Sequence, residues 1–332
     1  MQRRLFLRSG SAAALASALA ACGGGGGGST GSGGTGALAT GAATIGDSAT
    51  GVATTAAPAV AQQAVATGLP AKILGCYFTG WDTAYKITDV PSDFNLIYVF
   101  HCKPVGGQGG DGTFMFEFGS DVTAAQVQTC RNRGQKVILT VGGAGAGFAW
   151  DTRAKSQKFV DSYKAIVASL GGVDGIDFNN FEGSIINSGN YATVSGEMIW
   201  IAQQLKAVYG SDFAVTSPAQ PNDPIQQQLM VDMQKAGVLS YAAPQYYDWT
   251  GFNDAGFISG RTATWVGLLG QEATAVGLSA SYSNGPSLDD CIREWNAIKK
   301  TYPNVRGMFC WSAQTNLAGG NGWGSTMKGL LA

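Results

Sequence analysis

Val173-Asp174-Gly175-Ile176-Asp177-Phe178-Asn179-Asn180-Phe181-Glu182-Gly183-Ser184 interleaves apolar residues at 173, 176, 178 and 181 with Asp174, Asp177, Asn179, Asn180 and Glu182. This is the pattern of a buried strand that packs one side under helices and feeds acids into a cavity from the other. Under strict period two, Asp177 and Glu182 face opposite ways, because they are five residues apart. A bulge removes the conflict. If Asn179 and Asn180 share one ladder position, Ile176, Phe178 and Phe181 point outward, and Asp177, one of the two Asn and Glu182 point inward. The expectation is a strand that ends in a carboxylic acid.

Short apolar runs of the same kind lie on both sides of it. They occupy 72–78, 95–101, 136–141, 213–218, 239–248, 276–282 and 305–312. Between them come stretches that read as helices: a polar one over 121–133, amphipathic ones over 155–170 and 191–209, and another over 225–236. Residues 252–272 are Gly-rich and make the weakest helix, whereas Ser287, followed by Asp290, reads as an N-cap opening a helix to about residue 301. Strand and helix alternating over eight repeats predict an α/β fold, a parallel (β/α)8 TIM barrel. The run Gly142-Gly143-Ala144-Gly145-Ala146-Gly147 matches neither dinucleotide nor Walker spacing, and it is read as backbone that lets a ligand approach.

Composition narrows the chemistry. The 262 residues from 71 to 332 are close to the roughly 250 of a typical barrel, so one domain is expected. The whole chain carries −1, and setting aside Arg3, Arg4, Arg8 and Asp47 leaves −3 for this domain, with no basic stripe, so nucleic acid is a poor partner. A single histidine, His101, rules out multi-histidine metal sites, and it is expected at the rim of a strand end rather than in catalysis. The five cysteines of this domain, 76, 102, 130, 291 and 310, leave at least one thiol free; Cys76 and Cys102, on strands expected to be adjacent, form the first candidate disulfide. All eight Trp and all eleven Tyr follow residue 70, which suits an aromatic carbohydrate groove as well as ordinary packing.

Residues 1–22 read as a signal peptide. Arg3-Arg4 precedes Leu5-Phe6-Leu7, and an Ala-rich run ends in Leu19-Ala20-Ala21-Cys22, which resembles a twin-arginine signal with a bacterial lipobox. Cys22 is then the lipidated residue, and Gly23 after it favours the outer membrane or cell surface of an exporting bacterium. Residues 23–70 hold one charge, Asp47, no aromatic residue, and abundant Gly, Ser, Thr and Ala, the composition of a disordered tether. A chain of about 48 such residues spans roughly 35–42 Å end to end.

The 173–184 run resembles the fourth-strand motif of glycoside hydrolase family 18, the chitinase family, which reads Asp-Gly-x-Asp-x-Asp-x-Glu. Asp174, Gly175 and Asp177 match in place; Asn replaces the third Asp, and Glu182 comes one residue late. Thr140 with Gly142-Gly143 is similar to the third-strand Ser-x-Gly-Gly, Gln245-Tyr246-Tyr247-Asp248 to the sixth-strand tip of compact hevamine-like chitinases, and Trp311-Ser312 to the eighth-strand Trp-Ser. The resemblance implies retaining, substrate-assisted hydrolysis of β-1,4-linked N-acetylglucosamine glycans, with no metal or organic cofactor. Glu182 would be the acid, Asp177 its partner, Asn179 or Asn180 the counterpart of the missing Asp, and Tyr247 the donor to the N-acetyl group. Tyr77, Gly142, Gly143, Gln245, Asp248 and Trp311 would bind substrate. A monomer acting on chitin is expected; an endo-β-N-acetylglucosaminidase or a weakly active chitin-binding lectin would use the same barrel.

Overall fold

The inward and outward alternation expected of residues 173–179 is what the computed structural model shows, and it recurs round the whole sheet. The structure describes residues 68–331 apart from 120, 144–145, 180–189, 249 and 281–283, all within one compact unit spanning 60–332. Its strands are β1 (Ile73–Thr79), β2 (Leu96–Pro104), β3 (Phe114–Phe116), β4 (Lys136–Gly142), β5 (Gly175–Asn179), β6 (Ala214–Ser217), β7 (Tyr241–Ala242), β8 (Val276–Ser279) and β9 (Gly307–Trp311). Eight of them run parallel in the order β7-β6-β5-β4-β2-β1-β9-β8. Parallel bridges Ala242↔Thr274 and Gln245↔Gly277 then join β7 to β8, so the ring closes and no open edge is left along it. The predicted (β/α)8 barrel is observed.

Two departures have local causes. Residues 80–95 between β1 and β2 form only a short 3₁₀ turn, Ile87–Asp89, because Pro91 and a run of polar residues leave no amphipathic helical face. After His101, β2 continues to Pro104 and turns back as the antiparallel β3, with Cys102 opposite Phe116. His101 is therefore not a rim residue; it is 5% exposed inside a hairpin.

The helices are α1 (Ala124–Asn132), α2 (Arg153–Ser169), α3 (Tyr191–Tyr209), α4 (Pro224–Lys235), α5 (Phe257–Leu269), α6 (Leu288–Thr301), α7 (Ala313–Ala318) and α8 (Gly322–Leu330). Most begin where a side chain can take an orphan amide. Thr123 and Gln126 form a capping box on α1, Asp223 accepts from the amides of Ile225 and Gln226 ahead of α4, and Ser287 pairs with Asp290 at α6. The outward side chains of the barrel strands, among them Leu74, Phe78, Val99, Leu139, Ile176, Phe178 and Val215, form one core with the helices. Each such side chain taken from water contributes about 1.5–3 kcal/mol.

Between β5 and β6 the strands come unusually close. A Cβ on Gly175 would stand 2.5 Å from the Ala214 carbonyl oxygen and 2.6 Å from the Ala214 Cβ, so the Asp-Gly pair is a packing requirement. Asp174, at the opposite end of β5 from the mouth, accepts from the Val137 amide at 2.9 Å and faces Arg131 and Lys136, a structural role.

The proposed Cys76–Cys102 disulfide is absent: all five described cysteines are buried free thiols. Cys76 lies in register with Ile97, five residues before Cys102, and at about 3.3 Å per residue that separation exceeds what a disulfide spans.

Candidate active site

Asp177 lies on the inner face of β5, 1% exposed, with inward hydroxyls on both flanking strands. The parallel ladder puts Thr140 of β4 and Thr216 of β6 in register with it. Thr216 Oγ1 donates to Asp177 Oδ1 at 2.7 Å, and Thr140 Oγ1 donates to Oδ2 at 3.2 Å. From β1, Tyr77 Oη donates to Oδ2 at 2.7 Å. Burial raises the Asp177 carboxyl to about 6, while the hydroxyls of Thr216, Tyr77 and Thr140 hold it from going higher. Burial and the neighbouring Asp177 push the Tyr77 phenol well above its usual value, so Tyr77 stays a donor. The result is an interior acid that can gain or lose a proton in mildly acidic water.

An aromatic wall stands over this acid. Trp311, at the end of β9, meets Tyr77 at 5.5 Å between ring centroids, Phe100 edge-on at 5.3 Å, and Tyr247 nearly parallel at 6.2 Å. Trp81, in the segment after β1, continues the wall at 5.9 Å from Trp311 and is 54% exposed. Tyr247 itself is buried. Such faces suit the apolar side of a sugar ring, and the mouth lies at the C-terminal ends of the strands.

Asn179, two positions beyond Asp177, is also inward and buried, and its carbonyl accepts from the Gly143 amide at 3.1 Å. Gly142 and Gly143 have φ of 87° and 108°. A Cβ on Gly143 would stand 2.4 Å from the Phe100 ring, so the space beside this glycine belongs to Phe100. Gln245 is buried and donates from Nε2 to the Pro218 carbonyl at 3.1 Å, and Asp248 is exposed with φ of 65°. Asn180 and Glu182, named from the motif, lie outside the described residues, as does Cys22. Among the described residues no group of three or more His, Cys, Asp or Glu is placed to hold a metal ion.

A closed parallel barrel of this kind has known counterparts. The crystal structure of a family GH18 chitinase from Chromobacterium violaceum matches with a TM-score of 0.67 at 21% identity, covering 79% of this chain and 84% of that one. This is the family 18 chitinase fold. Chitinase Chi52 of Paenibacillus xylanexedens is 29% identical over 183 residues, which is 50% of this chain and 31% of that relative, so the chain spans less than a third of its length. The chitinase-like agglutinin of Robinia pseudoacacia shares the fold with a TM-score of 0.56 at 13% identity, over 78% of this chain and 100% of that one. No protein-family model matches the chain.

On this family 18 scaffold, several wall and floor residues were not singled out from sequence. Thr216 was within reach, since Ala214 and Thr216 alternate with Val215 and the parity of β6 alone turns the hydroxyl inward. Phe100 and Trp81 had no such signal. Their positions depend on the β2–β3 hairpin, and Phe118, just past β3, meets Trp81 at 6.0 Å. The Phe100–His101 and Trp311–Ser312 peptide bonds are both cis.

Proposed function

We propose that this domain hydrolyses β-1,4-linked N-acetylglucosamine glycans, chitin or its oligosaccharides, with retention and with help from the substrate's own N-acetyl group. The observation that carries this is Asp177, a buried carboxyl raised to about 6 beneath an aromatic mouth, in a barrel that has the family 18 fold. Glu182, five residues further on, would give its proton to the glycosidic oxygen. Asp177, close to its own midpoint in mild acid, would hold the residue that partners that acid and raise the acid's proton affinity. Tyr247 and Trp311 would hold the sugar between a hydroxyl and an apolar face.

Release of the chromophore from a chromogenic chitobioside tests this directly. Glu182→Gln should abolish release while oligosaccharide binding is kept, because the amide preserves the shape and cannot give up a proton. Wild-type protein that binds chitin oligomers without cleaving them would favour the second reading, a chitin-binding lectin. Asn179 favours that reading, because an amide stands where the motif carries a charge that would stabilise the cationic intermediate.

Arg3-Arg4 and Cys22 support a reading of export with a lipid anchor, which would tether the domain to a membrane surface. Cys22→Ser should move the protein from the membrane fraction to the soluble one.

A further inference from the structure

His101 is the chain's single histidine, and both of its ring nitrogens meet acceptors. Nδ1 stands 2.5 Å from the Gly142 carbonyl oxygen, and Nε2 stands 2.8 Å from Glu117 Oε2. A carbonyl can only accept. Glu117 also receives the Lys103 ammonium, and although burial pushes its carboxyl up, Lys103 and His101 outweigh that and keep it in the ionised range. A neutral imidazole has one N–H and one lone pair, so it can satisfy only one of these two oxygens. The imidazolium satisfies both.

The two partners belong to different elements, one on each side of β2. Gly142 ends β4, and the next amide, Gly143, holds the Asn179 carbonyl at the end of β5. Glu117 directly follows the returning strand β3, its amide donating to the His101 carbonyl at 3.2 Å, and its neighbour Phe118 packs on Trp81. Phe100, adjacent to His101, packs on Trp311. We propose that His101 is a positioning residue: its doubly protonated ring clamps Glu117 of the β2–β3 hairpin to Gly142, and so sets the placement of Asn179 and of the aromatic wall at the mouth of the barrel.

The charged groups facing the ring are Glu117, from the β3 side, and Lys103 on β2; β4 presents only a carbonyl, and Phe100 and Phe118 present rings. Burial lowers the ring's hold on its proton, Glu117 and the Gly142 carbonyl raise it, Lys103 lowers it, and the balance lies below the ordinary histidine value. The clamp is therefore closed in acid. As pH rises through the ring's midpoint, one nitrogen turns a lone pair toward an oxygen and that contact opens. The effect on turnover rests on the hydrolase activity proposed above, whereas the clamp does not.

A lone histidine makes the test direct, since its ring nitrogens give the only imidazole signals in an NMR titration. The expected result is two ring N–H groups in acid and one at neutral pH, with a midpoint below the usual value of about 6.5. The Gly143 amide should titrate at the same midpoint. Glu117→Gln, which removes the charge and keeps an acceptor, should lower that midpoint, and Lys103→Met should raise it. A Gly143 amide that ignores the ring's titration, or a midpoint that Glu117→Gln leaves in place, would overturn the clamp. In turnover, Glu117→Gln should carry the alkaline limb of kcat to lower pH while KM stays within about twofold. An unmoved limb would remove the catalytic consequence. A wild-type protein with no turnover would count against the hydrolase alone, because the NMR titration still decides the clamp.

Discussion

Tyr77 Oη donates to Asp177 Oδ2 at 2.7 Å, joining side chains one hundred residues apart in sequence across the inside of the barrel. The bond is one of three that stabilise the ionised carboxylate against its burial. Tyr77→Phe removes it with little change of shape. The Asp177 carboxyl should then titrate above its present value of about 6, and the limb of the pH–rate profile belonging to it should shift the same way. Loss of a buried hydrogen bond to a charged group should also cost about 1.5–3 kcal/mol, read from denaturant unfolding. A profile that does not move would separate Asp177 from the chemistry.

The same carboxyl makes stability depend on pH. The folded chain keeps the Asp177 proton up to about pH 6, whereas an unfolded chain releases it near the ordinary carboxylate value of about 4. The stabilisation is fully present below about pH 4 and is lost as pH rises to about 6, a difference of about two pKa units or roughly 3 kcal/mol. Asp177→Asn should flatten that part of the stability curve. Equal slopes in wild type and variant between pH 4 and 6 would show that another group dominates.

Asn179 is inward and buried, so it is the position at which a charge can be restored. Under the hydrolysis proposed above, Asn179→Asp should raise kcat by up to about 10²-fold and change KM little, because the charge would act on a cationic transition state more than on the neutral sugar. A drop in kcat would mean that Asp177 and a second carboxylate repel each other more than they help.

Gly143→Ala should destabilise the domain by roughly 1–3 kcal/mol, since the new Cβ meets the Phe100 ring at 2.4 Å on backbone at φ 108°. Thermal unfolding measures it. Gly267→Ala is the contrast, a position inside α5 with nothing within 4 Å of the added Cβ, and it should be neutral or mildly stabilising.

The elements that were hardest to read from sequence are those whose supports lie elsewhere in the chain. Helix α5 opens at Gly256, which has no capping side chain; its first amides, Gly256 and Ser259, are taken by Glu294 of α6 at 2.8 and 2.9 Å. A local search for Ser, Thr, Asp or Asn could not find that cap. The short β7 is similar: two residues of strand followed by Pro244 and a single bridge at Gln245, where a longer strand to residue 248 was expected. His101 was misplaced at a rim because nothing near it in sequence announces the return strand Phe114–Phe116.

Periodicity alone determined the barrel and the inward side of β5, because hydrophobic alternation and helix caps are local and each residue's neighbours in sequence enforce them. It could not determine what Asp177 is. A carboxylate at the end of an alternating strand is an ordinary acid until the closed ring brings Thr140, Thr216 and Tyr77 round it and excludes water. Only then does the cost of burying charge, set against three hydroxyl donors, carry its midpoint to about 6, and those donors come from three other strands.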